Sequence, residues 1–428
     1  MKILIKGGRI LDPANHLDKT CDLLIDQGKI VNIDENIPEE NHQVIDATGC
    51  WVTPGLIDMH VHLRDPGQKH KETIETGTKS AAMGGFTTIV PMANTKPVVD
   101  NEVVVEYINN KIAKDAVVNV FQVGAITKDL KGQELADIGS MKEAGIIAIS
   151  DDGLTVDNPN LLKTAMKYAN MWDLPILSHC EDTRLTSGGQ INAGSHADYM
   201  GFKGISSDSE EVIVARDIIL AKHTSAHLHV QHVSVKESLD HIKAAKANGV
   251  RVTTEICPHH FTLIDEDIKE YDANFKMSPP LRSSSDREAM IKALQDGTID
   301  VIATDHAPHH VDEKNCEFEI AMNGIVGLET AVPLCISELV LKNVLTPLQL
   351  ISKMTINPAR ILNLQKGTLS IGADADITII DPSVKWTIDK NKFESKSKNT
   401  PFHGREVTGR CRDLIVDGKI VVQNGIFA

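Results

Sequence analysis

His60 and His62 stand two residues apart at the end of an apolar run, Trp51-Val52-Thr53-Pro54-Gly55-Leu56-Ile57, that reads as a buried strand. In a strand, residues i and i+2 project to the same side. The spacing therefore presents two imidazoles to one space, which is half of a metal site. Arg64 continues the parity and aims a guanidinium the same way. An alternating histidine pair by itself also fits an ordinary strand, so its meaning depends on what other segments bring beside it.

Four further strand-like runs end in groups able to do chemistry. The run 145–150 leads into Asp151-Asp152-Gly153, the run 174–178 ends at His179, and the run 228–231 ends at His232. The run 299–304 ends at Asp305-His306-Ala307-Pro308-His309. Four histidines exceed what one catalytic zinc uses, since such a site keeps three protein ligands and an open position. Four histidines and a shared carboxylate suit two ions, with Asp152 and a hydroxide between them. A metal lowers the pKa of bound water from ~15.7 toward ~7. Asp305 would then accept a proton beside that hydroxide and hand it to a leaving nitrogen. The chemistry implied is metal-assisted hydrolysis.

The elements needed to position these residues can be read from the pattern. Apolar runs ending near His60, Met92, Val123, Ser150, His179, His232, Cys257 and Thr304 alternate with helical stretches such as 72–83, 134–144, 160–172 and 236–247. Eight such alternations predict an α/β fold, a TIM-type (β/α)8 barrel over residues 53–365, whose active site lies at the C-terminal ends of the strands. An open doubly wound sheet is the alternative, but no Gly-rich dinucleotide turn supports it. The first 50 and last 60 residues read instead as short β segments with turns at Gly7-Gly8, Gln27-Gly28 and Asp417-Gly418. Residues 1–52 and 366–428 are thus expected to pair into one small β-sandwich domain. The stretch 390–398, rich in lysine and serine, reads as a solvated loop.

Composition bounds the partners. The chain has 428 residues and a formal net charge of −15, which argues against nucleic acid and anionic membranes. Seven widely spaced cysteines without a Cys-X-X-Cys pair suit a reduced, cytoplasmic protein. The N-terminus is too short and too quickly polar for a signal peptide, and no apolar run reaches the roughly 18 residues of a membrane span.

Several motifs go further: Asp58-Met59-His60-Val61-His62-Leu63-Arg64-Asp65-Pro66-Gly67, Pro91-Met92-Ala93-Asn94-Thr95, Ser150-Asp151-Asp152-Gly153, Ser178-His179-Cys180-Glu181-Asp182, His229-Val230-Gln231-His232-Val233-Ser234, Lys276-Met277-Ser278-Pro279-Pro280-Leu281-Arg282, Ala303-Thr304-Asp305-His306-Ala307-Pro308-His309 and Gly324-Ile325-Val326-Gly327-Leu328-Glu329-Thr330. As a set they resemble the amidohydrolase superfamily and, within it, the bacterial-type dihydroorotases, over essentially the whole chain. The resemblance implies reversible cyclisation of N-carbamoyl-L-aspartate to dihydroorotate in pyrimidine biosynthesis, with zinc as the usual metal. It implies that His60, His62 and Asp152 hold one ion, that Asp152, His179 and His232 hold the other, and that Asp305 is the catalytic carboxylate. Arg64, Asn94 and His309 would bind the substrate carboxylate, and the backbone near Val326-Gly327 would contact the ring. A homodimer is expected, and association with aspartate carbamoyltransferase is compatible with the resemblance.

Departures from the pattern sharpen this reading. Many relatives bridge their metals with a carbamylated lysine, but here Lys142 and Lys163 lie well outside the Ser-Asp-Asp-Gly turn and Asp152 takes the bridging position. That counts against a hydantoinase or allantoinase. The full ligand set counts against an inactive scaffold for aspartate carbamoyltransferase. Asp65 stands where Glu is common and Met322 where Pro is common. Ser278 stands where an Asn is expected to touch substrate, which puts that contact in question. Asp151 is expected to cap a turn, His227 and His229 to be structural, and His259 and His260 to be rim or packing residues. For His306, divergence from the site and orientation of Asp305 are both open.

Overall fold

The computed structural model describes residues 2–40 and 42–428. Met1, part of the N-terminal β segments expected from sequence, lies outside them. Eight parallel strands lead the middle of the chain around a barrel. In order they are Leu56–Val61, Phe86–Pro91, a third strand in two pieces (Asn119–Val120 and Val123–Gly124), Ala148–Ile149, Ile176–Ser178, Leu228–Val230, Val252–Ile256 and Val301–Ile302. The third strand splits because its first piece pairs with the second strand and its last piece with the fourth. The ring closes where Val61 bridges His306 and the His62 amide donates to the His306 carbonyl at 2.8 Å. Asp58, fully buried on the first strand, reinforces that seam by accepting from the His60 and Thr304 amides at 3.2 and 3.1 Å. Burial pushes the Asp58 pKa up to about 7, against those hydrogen bonds.

The crossover helices form because their sequences cap and pattern them. The helix Ile74–Gly84 starts at Thr73, whose hydroxyl accepts from the Thr76 amide while Thr76 returns the bond, and ends at Gly85 in the left-handed region. The helices Pro159–Met171 and Ser284–Asp296 start on Asn158 and Ser283 caps, and bury Leu162, Ala165 and Met166 and Met290, Ala293 and Leu294 respectively. No helix among the described residues is long and apolar enough to cross a membrane.

Both ends of the chain meet in one nine-stranded sheet. The N-terminal strands Ile3–Asp12, Leu17–Asp26, Lys29–Asp34, Gln43–Asp46 and Trp51–Pro54 join Ile377–Thr387, Glu406–Val416, Lys419–Gln423 and Ile426–Phe427. Bulges between Ile5 and Gly8 and between Ile379 and Ile380 bend it around a core of Ile3, Ile5, Ile10, Leu23, Ile25, Ile377, Ile379 and Ile415. The apolar run read as one strand is therefore two. Trp51–Pro54 pairs with Ile377–Ile380 in this sheet, and Leu56–Val61 starts the barrel. The break falls at Gly55, where a Cβ would come within 2.0 Å of the Thr87 hydroxyl.

The segment 390–398 is not the solvated loop that its composition suggests. Phe393, Ser395 and Ser397 are buried and Lys396 is exposed, so the polar residues alternate across a strap laid over the barrel rim. Glu72, buried at the start of the first crossover, anchors it. Its carboxylate accepts from the Ser395 hydroxyl at 2.5 Å, from the Lys396 amide at 3.0 Å and from the Thr76 hydroxyl. Just beyond, the Asn399 side chain accepts from the His309 amide at 3.1 Å and donates to the carbonyls of Ala307 and Gly324, both at 3.0 Å. Removing the Glu72 carboxylate strands several buried donors, each worth about 1–3 kcal/mol when left unpaired. We expect Glu72→Ala to lower unfolding stability by about 3 kcal/mol in denaturant titration. A change below about 0.5 kcal/mol would show that the strap does not depend on this anchor.

Candidate metal centre and substrate cavity

Six side chains from five strand ends converge at the C-terminal mouth of the barrel. His60 and His62 come from the first strand, Asp152 follows the fourth, His179 the fifth, His232 the sixth and Asp305 the eighth. All are buried. Two of them are held at positive φ, His232 at 31° and Asp305 at 49°, as is Arg64 at 58°. Non-glycine residues in this region are strained and persist where surrounding structure imposes them.

The distances describe one cluster. Asp152 Oδ1 lies 3.2 Å from His60 Nε2, and 3.8 Å from both His179 Nδ1 and His232 Nε2. Its Oδ2 lies 3.4 Å from His62 Nε2. Asp305 Oδ1 lies 3.1 Å from His62 Nε2 and 3.5 Å from His60 Nε2. His179 Nδ1 and His232 Nε2 face each other at 2.8 Å. Two sets, His60/His62/Asp305 and His60/Asp152/His232, have ligand atoms all within 4.8 Å of one another.

The donor set fits divalent cations on evidence internal to the chain. Asp152 Oδ1 is buried without a hydrogen-bond partner, surrounded by imidazole nitrogens. An orphaned buried carboxylate oxygen is costly unless a cation balances it. The tautomers also point inward. His60 Nδ1 donates to Glu255 Oε1 at 2.6 Å and His62 Nδ1 to Asn94 Oδ1 at 2.9 Å, leaving each Nε2 lone pair facing the carboxylates. Electrostatics describe a cluster that attracts positive charge. Burial would raise the Asp152 carboxyl's pKa, but the ring of histidines holds it well below the usual range. Burial would also lower the His60 pKa, yet Asp152, Glu255 and Asp305 raise it well above the ordinary value. Asp305 is likewise lowered by His60 and His62 against burial, so it remains a carboxylate able to accept a proton.

Beside this cluster opens a cavity of about 520 Å³. Arg64, Asn94, Ser278 and His309 all line it. Arg64 Nε donates to the Pro308 carbonyl at 3.2 Å, and its Nη2 stands 3.4 Å from His309 Nε2. His309 Nε2 donates to the Asn323 carbonyl at 2.7 Å, so it carries the proton and its Nδ1 accepts from Lys71 Nζ at 3.3 Å. Burial and the cations Arg64, Lys71 and Lys314 press the His309 pKa down to about 2, which keeps the ring neutral. Asn94 also donates to the Asp152 carbonyl at 3.1 Å, so it ties the cavity wall to the metal cluster. The Ser278 hydroxyl donates to Glu181 at 2.8 Å.

Val326 and Gly327, expected near a bound ring, do not line the cavity. Their amides are used elsewhere: Val326 N–H donates to the Asn399 carbonyl at 2.9 Å and Gly327 N–H to His306 Nδ1 at 3.2 Å. The wall is formed one turn earlier by Met322, Asn323 and Gly324, pinned by Lys314 Nζ, which donates to the Lys276, Met322 and Gly324 carbonyls at 3.1, 2.8 and 3.1 Å. His306 diverges from the cluster toward Glu72, 3.4 Å away, and supports the 327 backbone. Asp151 caps the turn after the third strand, accepting from the Ile126 and Thr127 amides at 2.8 and 3.0 Å. His260 Nε2 donates to the Pro279 carbonyl at 3.1 Å, and neither it nor His259 lines the cavity.

Glu255 is a residue that the motifs did not single out. It is fully buried and takes a second imidazole, His229 Nε2 at 3.1 Å, besides His60. His229 is thus structural in the specific sense of completing the support behind His60. The available signal was a lone glutamate inside the short buried strand Val252–Ile256, where a charge persists only if paired. Lys71 left a weaker signal, a lysine in a polar stretch that gave no hint of burial.

A family model described as Dihydro-orotase-like matches residues 49–238, and one described as Amidohydrolase family matches residues 322–422. The dihydroorotase of Acetivibrio thermocellus is 51% identical over 425 residues, covering 99% of this chain and 100% of that protein. That of Ruminiclostridium cellulolyticum is 49% identical, with 100% of each chain covered. Among solved structures, the L-hydantoinase (dihydropyrimidinase) of Arthrobacter aurescens superposes with a TM-score of 0.91 at 26% identity, over 100% of this chain and 97% of that one. The dihydropyrimidinase of Brevibacillus agri gives 0.86 at 25% identity, over 100% and 96%. With full-length relatives sharing half its residues, the chain belongs to the dihydroorotase family of the amidohydrolases.

Proposed function

We propose that this enzyme interconverts N-carbamoyl-L-aspartate and dihydroorotate in the cytoplasm, as a step of pyrimidine biosynthesis, with two zinc ions sharing Asp152. The observation that carries the reading is the convergence of four imidazoles on a buried carboxylate whose Oδ1 has no hydrogen-bond partner, next to a cavity walled by Arg64 and a neutral His309. His60, His62 and Asp152 would hold one ion and Asp152, His179 and His232 the other. Asp305 stands close enough to His60 and His62 to join the first set. When bound, the ions supply a Lewis acid for the amide carbonyl and a water acidic enough to attack near neutral pH.

The rest is done by the chain. Asp305, ionised and buried, takes the proton of the attacking water at Oδ1 and returns it to the leaving ring nitrogen. In the reverse direction it removes the proton from the carbamoyl nitrogen. Arg64 presents guanidinium N–H donors to the cavity, a charge-assisted partner for a carboxylate, and the neutral His309 ring, whose own N–H is held by the Asn323 carbonyl, stands 3.4 Å away as the flanking wall. Asn94 holds His62 in register with that pair. Among the departures from the family pattern, Ser278 and Met322 lie in the cavity wall and Asp65 does not. A homodimer, and association with aspartate carbamoyltransferase, remain compatible with this reading.

The structural likeness to hydantoinases makes a hydantoin or allantoin ring the competing substrate. Zinc-loaded enzyme should open dihydroorotate in preference to both, followed by loss of ring absorbance. Faster opening of either uncharged ring would replace the assignment. Asp305→Asn, which keeps a ligand oxygen, should retain two zinc equivalents by elemental analysis while kcat falls ~100- to 10,000-fold. Undiminished turnover would remove Asp305 from the proton path. Arg64→Met should lower kcat/KM for dihydroorotate by at least ~100-fold, because a charge-assisted bond worth roughly 3 kcal/mol is lost. Trace activity on uncharged rings should change little; an equal fall on both would make Arg64 structural.

A further inference from the structure

The cavity is chemically two-sided. Arg64 offers N–H donors on one part of its wall, beside His309. Elsewhere three side chains offer only, or mainly, lone pairs. Glu181 lines the cavity, and its Oε2 accepts from the Ser278 hydroxyl at 2.8 Å. That bond spends the Ser278 proton, so the serine faces the cavity as an acceptor. Gln190 also lines the cavity. Its amide nitrogen donates to the Gly188 carbonyl at 2.9 Å, and its Oε1 is buried without a partner.

We propose that Glu181, Ser278 and Gln190 form an acceptor pole that reads an N–H group of the substrate, making Glu181 and Gln190 specificity-determining residues. The argument is one of satisfaction. A buried acceptor with no donor costs free energy until a ligand supplies one. Both the open-chain carbamoyl group and the cyclic imide carry N–H donors, whereas the carboxylate belongs with Arg64. A substrate spanning donors at one end and acceptors at the other can bind in one orientation only, which fixes the scissile bond relative to Asp305. The arrangement also answers what a serine does at position 278: it orients Glu181 instead of donating to substrate.

This inference rests on the dihydroorotase reading, and the test separates the two. Dihydroorotate and its two mono-N-methylated forms, one at each ring nitrogen, are compared as substrates of wild-type enzyme, Glu181→Ala and Gln190→Leu. Failure of the wild type to open dihydroorotate overturns the functional reading, and this inference with it. If it does open it, methylation at the nitrogen that faces the pole should cost the wild type about 100-fold in kcat/KM, the loss expected when a buried acceptor is left without its donor. Glu181→Ala or Gln190→Leu should lower kcat/KM for the parent ring and erase most of that methylation penalty. Any effect of methylation on leaving-group protonation is common to all three enzymes and cancels. Methylation penalties that stay unchanged in both variants, at both nitrogens, would overturn the acceptor pole. Zinc content equal to wild type checks that each variant is folded around its metals.

Discussion

Asp152 Oδ1 is a buried negative charge with imidazoles on every side and no hydrogen-bond donor of its own. Such a group is tolerable only if something balances it, and the fold is arranged around providing that balance. Four histidines arrive from three strand ends, and two of them are turned so that lone pairs, not protons, face the carboxylate. Glu255 and Asn94 do the turning, at 2.6 and 2.9 Å. The support behind His60 reaches a second layer through His229, so the ring is fixed by a chain of buried polar groups in the barrel wall. Backbone strain at His232 and Asp305 belongs to the same bargain: the barrel's hydrogen bonding holds these residues where relaxed φ values would not aim them.

Much of this was legible because it follows from period and position. Alternation by two puts His60, His62 and Arg64 on one side of a strand. Runs ending in His179, His232 and Asp305 fall at the mouth of any (β/α)8 barrel. The strand ends predicted at Ser150, His179 and Thr304 lie within two residues of those observed at Ile149, Ser178 and Ile302. What was not legible depends on contacts between distant segments. Trp51 to Ile57 looks like one strand because apolarity does not reveal which sheet a residue joins. Only the crowding of Gly55 against Thr87 shows where the chain changes sheet. The 390–398 strap looks solvated because lysine and serine are surface residues on average. It is buried because Glu72 and Lys71, more than 300 residues earlier, accept its hydroxyls and amide.

The same limit explains the misplacement of the substrate wall. Val326-Gly327 lies in a motif of the right composition, but a motif does not say which of its amides remain free. Here His306 and Asn399 consume both. The wall falls to Asn323 and Gly324, because Lys314 gathers three carbonyls there around one ammonium. Burial lowers the Lys314 pKa to about 7, so the clamp works close to the limit of its own charge.

The strap gives the terminal sheet a reason to exist. Asn399 is supplied by the C-terminal part of the chain, yet it fixes the His309 amide and the carbonyls of Ala307 and Gly324, on both sides of the cavity wall. His309 in turn has its tautomer set by Lys71 from the first crossover and by Asn323 from the wall. A neutral ring with its proton on Nε2 is the only state that satisfies both neighbours: protonating Nδ1 would set it against an ammonium, and moving the proton off Nε2 would set a lone pair against a carbonyl. The ring beside Arg64 is thus defined by four segments spread over more than 300 residues of sequence. A barrel alone could aim the metal ligands, since all of them sit at its strand ends. Aiming the groups that choose the substrate takes the rest of the chain.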